Sequence, residues 1–287
     1  VIRLALRVSR EHAEIALADL LELAPGGVEE SEPDEQTVEY AVYGAPGELP
    51  QLPALRALVG GALVEVQSTE VPDDWQERWK RFHRPVTLAA PAGGGASALH
   101  LRPPWESPLA DGQAHEIEID PGQAFGTGSH ATTKLCLTLL LELAATGCRG
   151  AAIDVGTGSG VLAIAAAKLG FAPVSAFDHD PESVRAARLN ATANGVELDL
   201  ARTDLRRDAM PPTHGATVLA NLLRPLLLEL CERLAQAPEH LIVSGLLVGE
   251  VDEVAQAFAA RHNLRERSRL YEGDWAAAWL SVQRVAT

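Results

Sequence analysis

The spacing of apolar positions changes along the chain, and the changes divide it. IRLALRV (2–8) alternates apolar and polar residues with the period of two expected of a half-buried strand. REHAEIALADLLEL (10–23) instead places Ile15, Leu17, Leu20 and Leu21 on one helical stripe, and APGGVEE breaks it. TVEYAVYG (37–44) alternates again, LPALRALV (52–59) reads as a short helix, and GALVEVQSTEV (61–71) as a further strand. Strand, helix, two strands, helix, strand is the ferredoxin-like βαββαβ order, so residues 1–70 are predicted to form a small α+β domain. PDDWQERWKRFHRP (72–85) follows, with Asp73 or Asp74 able to cap a helix that carries Trp75, Trp79 and Phe82 and ends before Pro85. Residues 71–90 are therefore expected to be a helical linker, and PAGGGASA (91–98) a loop or hairpin tip.

Beyond the linker the period lengthens. After some short strands, apolar strands alternate with helical stretches. AAIDV precedes GVLAIAAAKLG, PVSAFD precedes PESVRAARLNATANG, ATVLAN precedes PLLLELCERLAQ, and HLIVSG precedes GEVDEVAQAFAARH. Repeated βα units predict a parallel sheet covered by helices on both faces, an α/β domain over 91–287. The tail LRERSRLYEGDWAAAWLSVQR reads as two strands with no helix between them, an antiparallel hairpin at the sheet edge.

Composition narrows the class. Of 287 residues 47% are hydrophobic, enough for a sizeable core, yet no apolar run reaches the roughly 18–20 residues of a membrane span. No basic-then-apolar signal pattern opens the chain, because Arg3 and Arg7 interrupt it, and a cytoplasmic protein is expected. Cys136, Cys148 and Cys231 stand in no metal-binding spacing and read as reduced thiols; no metal is expected. The net charge of −15 argues against direct nucleic-acid binding. Residues 1–70 hold 13 acids against four arginines, which serves either solubility or the recruitment of a basic macromolecule.

Candidate chemistry centres on GTGS, which occurs twice, at 126–129 and 156–159. The second copy follows the strand AAIDV and opens a helix, with Gly156, Gly158 and Gly160 allowing a tight turn and close ligand approach. The spacing lacks the GxGxxG phrasing of dinucleotide sites. Asp154, just before the turn, would repel a pyrophosphate and attract a cationic amino-acid moiety. Asp178 ends the next strand, where an acid can accept both ribose hydroxyls of an adenosine. Adenosine without a phosphate site points to S-adenosylmethionine. Asp204, near the end of the third strand, could reach the adenine amine or simply shape a turn, and Asp180 before Pro181 fits a helix cap. Asn221, at the end of ATVLAN and followed by Leu222, is placed to accept a hydrogen bond from an incoming neutral amine, which makes this pair the candidate catalytic residues.

DPGQAFGTGSHATT, DVGTGSGVLAIAAAKLG, DHDP, NATANGV and ANLL together resemble the bacterial ribosomal protein L-eleven (L11) methyltransferase family, with DDWQERWK matching its connector. The resemblance implies a seven-stranded class I methyltransferase domain. It also implies S-adenosylmethionine-dependent methylation of lysine side chains and of the N-terminal α-amine of that ribosomal protein. The N-terminal domain would read the substrate, the connector would act as a hinge, and the enzyme would work as a monomer. Cofactor contacts are implied at positions matching Thr133, Gly156, Asp178 and Asn221. The first GTGS has no parallel strand before it and reads as an active-site loop: Phe125 covering the methionyl arm, amides of Gly126, Thr127 and Gly128 shaping the cleft, and Thr133 reaching the cofactor carboxylate. Ser129 or Thr132 could cap the long amphipathic helix that follows. The alternatives are a methyltransferase acting on a glutamine amide of a release factor, whose Asn-Pro-Pro-aromatic signature is absent at Asn221, a dehydrogenase, and a non-catalytic translation-associated binding protein.

Overall fold

The computed structural model describes residues 2–13, 16–17, 28–31, 34, 36–44, 63–70, 83–89, 98–109, 114–121, 128 and 130–283. The chain forms two compact units, residues 1–82 with 122–125, and residues 83–121 with 126–287. The unit boundary falls inside the stretch expected to be a helical linker. Residues 71–82 lie outside the described residues, and Val86–Ala89 is a strand of the second unit rather than linker.

In the first unit, β1 (Ile2–Ser9), β2 (Glu29–Ser31), β3 (Thr37–Gly44) and β4 (Leu63–Glu70) form a sheet in the order β2-β3-β1-β4, with every pairing antiparallel. Alternation decides its faces. Leu4, Leu6 and Val8 of β1 join Val38, Tyr40 and Val42 of β3 in a core that also takes Ala13 and Ala16. The intervening positions carry charge: Glu39 accepts from Arg3 at 2.8 Å and from Arg7 at 3.2 Å. The expected helix at 10–23 opens as a short 3-10 turn at Arg10–His12, and the helix at 52–59 lies outside the described residues.

The second unit opens with a three-stranded sheet of β5 (Val86–Ala89), β6 (Ala98–Arg102) and β7 (Ala114–Glu118). It continues as α1 (Ala131–Ala145), β8 (Ala152–Val155), α2 (Val161–Lys168), β9 (Val174–Asp178), α3 (Pro181–Ala193) and β10 (Asp199–Arg202). After these come β11 (Thr217–Asn221), α4 (Arg224–Arg233), β12 (His240–Leu247), α5 (Val251–His262), β13 (Leu264–Glu272) and β14 (Trp275–Val282). The seven strands run β10-β9-β8-β11-β12-β14-β13, parallel through β12, with the predicted tail hairpin as the antiparallel edge.

Strand pleating sorts the core onto two faces. Ala152, Leu219, Ile242 and Ala277 face one cluster with α1 and α2, while Ile153, Val218, Val243 and Ala278 face the other with α4 and α5. Helix α1 differs from the amphipathic expectation: ten of its 15 residues are buried, because it packs against the sheet, α2 and β5 together. The strand order reverses between β8 and β11, and in open α/β sheets such a switch point leaves a crevice at the strands' carboxyl ends. The residues after Val155 and at Asn221 therefore share one crevice.

Candidate active site

Strand β8 is buried along its whole length and turns sharply at its end. Gly156 has φ +72, a backbone conformation that favours glycine, and a Cβ there would lie 2.5 Å from Leu222 Cδ2, so that side chain would have to shift. The N–H groups of Gly156 and Thr157 donate to Phe177 O at 2.9 and 3.0 Å, and Gly158 N–H donates to Asp178 Oδ2 at 3.0 Å. Asp178 Oδ1 accepts from Asp180 N–H at 3.0 Å, with His179 Nδ1 at 3.2 Å. Its carboxylate thus braces the glycine turn against the turn after β9. Asp180 caps α3 by accepting from Glu182 and Ser183 N–H at 3.1 and 3.2 Å.

Asp154 sits beneath this turn with 1% of its surface exposed. Its Oδ2 accepts from Thr157 Oγ1 at 2.7 Å and from Ala163 N–H at 3.2 Å, while Oδ1 is buried with no hydrogen-bond partner. Burial pushes this carboxyl up to about 7, against the lowering effect of those two bonds, with nearby Asp178 adding to the rise. An unpartnered buried carboxylate oxygen fits a cationic ligand group, such as the ammonium of an amino-acid moiety.

Across the switch point, β11 ends at Asn221, whose Nδ2 lies 3.4 Å from Thr133 Oγ1, a long contact. Leu222 N–H donates to Ser244 O at 3.0 Å. Gly245, next along β12, has φ +82, and a Cβ there would stand 2.6 Å from Leu222 O. This glycine interrupts the β12–β14 register and lets the strand press against the Leu222 backbone. Ser244, wholly buried, donates from Oγ to Thr132 O at 3.0 Å, tying β12 to the start of α1. The cap of α1 is neither Ser129 nor Thr132. Thr132 is already in the first turn, and its N–H donates to His130 Nδ1 at 3.3 Å. Burial chiefly lowers the His130 pKa, with Lys134 acting in the same direction. This favours the neutral ring whose Nδ1 can accept, and the ring meets Trp275 edge-on at 5.1 Å.

Residues 29–283 match the family model described as Ribosomal protein L11 methyltransferase (PrmA). The chain belongs to that family. It is 39% identical over 207 residues to the ribosomal protein L11 methyltransferase of Symbiobacterium thermophilum, an alignment covering 71% of this chain and 64% of that relative. With the Geobacter sulfurreducens protein of the same name it shares 37% over 225 residues, 77% of this chain and 71% of the other. The crystal structure of a ribosomal protein L11 methylase from Lactobacillus delbrueckii subsp. bulgaricus superposes with a TM-score of 0.56 at 33% identity, over 65% of this chain and 94% of that one. The chain thus spans just under two thirds of the length of the Symbiobacterium relative.

Against the sequence expectations, Asp154 and Asp178 each hydrogen-bond the second glycine turn, at Thr157 and at Gly158, Leu222 packs on Gly156, and Thr133 meets Asn221. Asp204 faces its own turn: Oδ1 accepts from Arg206 N–H at 2.9 Å, and Arg207 Nε stands 3.5 Å from Oδ2. Of the first glycine stretch, Gly128 packs on Leu101 with φ +90, while Phe125, Gly126 and Thr127 lie outside the described residues. Sequence reasoning missed His130, Ser244 and Gly245. A glycine inside the apolar run HLIVSGLL was a readable sign of close backbone approach.

Proposed function

We propose that this chain is an S-adenosylmethionine-dependent N-methyltransferase that modifies lysine side chains and the N-terminal α-amine of ribosomal protein L11. The observation that carries the reading is the orphaned Asp154 Oδ1 beneath a glycine turn braced by Asp178, facing the switch point where Asn221 ends β11. Asp154 would hold the cofactor ammonium, Thr133 its carboxylate, the Gly156–Gly158 turn its body, and Asp178 its ribose hydroxyls. When bound, S-adenosylmethionine supplies a sulfonium methyl group that a neutral amine can attack.

The chain's own residues then have to receive an amine without its extra proton and aim its lone pair. Asn221 Oδ1 and the Leu222 carbonyl are neutral acceptors for amine N–H groups, and the Leu222 peptide is held by Ser244 and backed by Gly245. A lysine is only about one part in 10³ neutral at pH 7. Half-buried Leu222 and exposed Leu223 give the mouth an apolar lining that disfavours the ammonium form. Positioning supplies much of the remaining rate, and the reading assigns no side chain as a strong base.

The first unit is read as a ferredoxin-like substrate reader on its antiparallel β2-β3-β1-β4 order, and its acidic balance suits a basic ribosomal protein. The stretch after β4 would link it to a methyltransferase domain that begins at about residue 83, in a monomeric cytoplasmic enzyme. Incubating the protein with methyl-labelled S-adenosylmethionine and unmethylated L11, free or on ribosomes, should put label into methylated lysine and the α-amine. Absence of label from both substrates refutes the enzyme reading, and label recovered as methylglutamine refutes the amine.

A further inference from the structure

Helix α3 and its C-cap present two buried amides one turn apart, Asn190 within the helix and Asn194 at the cap, which are 3% and 8% exposed. Buried side-chain amides need partners, and both find them at the carboxyl end of β7. Asn194 takes both backbone groups of Glu118, accepting its N–H at 2.9 Å and donating to its carbonyl at 2.6 Å, as a neighbouring strand residue would. Asn190 Oδ1 accepts from Asp120 N–H at 3.1 Å, and its Nδ2 donates to Ser159 O at 2.8 Å. The spacing explains the fit. Four residues of helix rise about 6 Å and two of strand about 6.6 Å, so residues 190 and 194 stand opposite 120 and 118.

The two ends of the Asn190 amide reach different functional segments. Asp120 begins DPGQAFGTGS, the first glycine stretch, and Ser159 belongs to the second. We propose that Asn190 is a positioning residue whose side-chain amide locks the entry to the first glycine stretch onto the cofactor turn. The proposal rests on the methyltransferase reading. Its chemistry is one-directional: Ser159 O can only accept and Asp120 N–H can only donate, so the amide has one orientation. Aspartate at this position would keep the Asp120 bond and set an oxygen against the Ser159 carbonyl. The Ser159–Gly160 peptide, one residue beyond Gly158 whose own N–H is held by Asp178, would then lose its hydrogen bond to α3.

The test compares Asn190→Asp with Asn194→Asp, since Asn194 is also buried in the same latch but its amide makes no hydrogen bond to the turn. Calorimetric titration with S-adenosylmethionine should show Asn190→Asp weakening binding about tenfold, the scale of one lost hydrogen bond replaced by a repulsive contact. Asn194→Asp should lower the melting temperature to a similar extent while leaving cofactor affinity within about twofold, because its lost bonds do not reach the turn. Hydrogen exchange on the full chain without cofactor gives a second readout, with faster exchange at residues 156–160 expected only in Asn190→Asp. Equal affinity in Asn190→Asp and wild type, or equal loss in both variants, overturns the proposal. If the wild-type protein binds no S-adenosylmethionine, the functional reading fails. Exchange then decides the latch alone: unchanged protection at 156–160 overturns it, and selective loss supports it.

Discussion

Replacing Asp154 by asparagine separates the group's two effects, destabilising the empty protein and attracting a cation. The folded carboxyl is raised from 3.8 to about 7, with burial as the leading cause. Between those two values the native state holds a proton that the unfolded chain has released, so stability falls as pH rises through this window. At 1.36 kcal/mol per pKa unit the full penalty above pH 7 is about 4 kcal/mol, of which about 2–3 kcal/mol develops between pH 5 and 8. Asparagine offers an oxygen to Thr157 and Ala163 without ionising. Urea unfolding of cofactor-free wild type and Asp154→Asn across that pH range, followed by helical circular dichroism, gives the difference directly, because other titrating groups cancel. The variant should gain on the wild type by about 2–3 kcal/mol from pH 5 to 8. Parallel stability curves would refute the reasoning. Saturating S-adenosylmethionine should flatten the wild-type slope, since an ammonium beside Oδ1 returns the carboxylate to its ionised form.

Asp178→Ala should weaken S-adenosylmethionine binding by about 1–3 kcal/mol, since it removes both the proposed ribose acceptor and the brace on Gly158 N–H; unchanged affinity in a calorimetric titration would falsify the ribose assignment. Gly245→Ala places a methyl group 2.6 Å from Leu222 O at a positive φ, so the Leu222 carbonyl must move. Steady-state kinetics should show kcat lowered about 10- to 100-fold with cofactor affinity close to wild type. An unaltered kcat would remove Leu222 from the positioning scheme.

Much of the second unit was legible because its elements have distinct periods. Every βα pair read from AAIDV onward corresponds to a strand followed by a helix, and the tail hairpin falls where the missing helix put it. The exception is α1, whose leucines do not reveal how many neighbours it has. A helix between a seven-stranded sheet and an added strand β5 buries Leu135, Leu139 and Leu143 but also Leu137 and Leu141. Its cap was misread for a related reason. His130 is an uncommon cap residue, and here it takes a half-buried position with its ring edge-on to Trp275.

The candidate site was legible on its front and not on its back. Asp154, Gly156, Asp178 and Asn221 are recognisable because strand-end acids, a glycine turn and a strand-end amide have typed positions in an open α/β sheet. The residues that hold them are ordinary in sequence. Ser244 and Gly245 interrupt a valine–leucine strand, and Asn190 and Asn194 look like solvated helix positions until a strand end is found opposite them. The difference follows from the chemistry proposed. If methyl transfer to an amine needs neutral acceptors in fixed places more than a strong base, the decisive groups are the Asn221 side-chain oxygen and the Leu222 carbonyl, and every residue carries a carbonyl. What distinguishes those few is the side chains and missing side chains behind them, so the glycine and the buried amides set the site as much as the acids do.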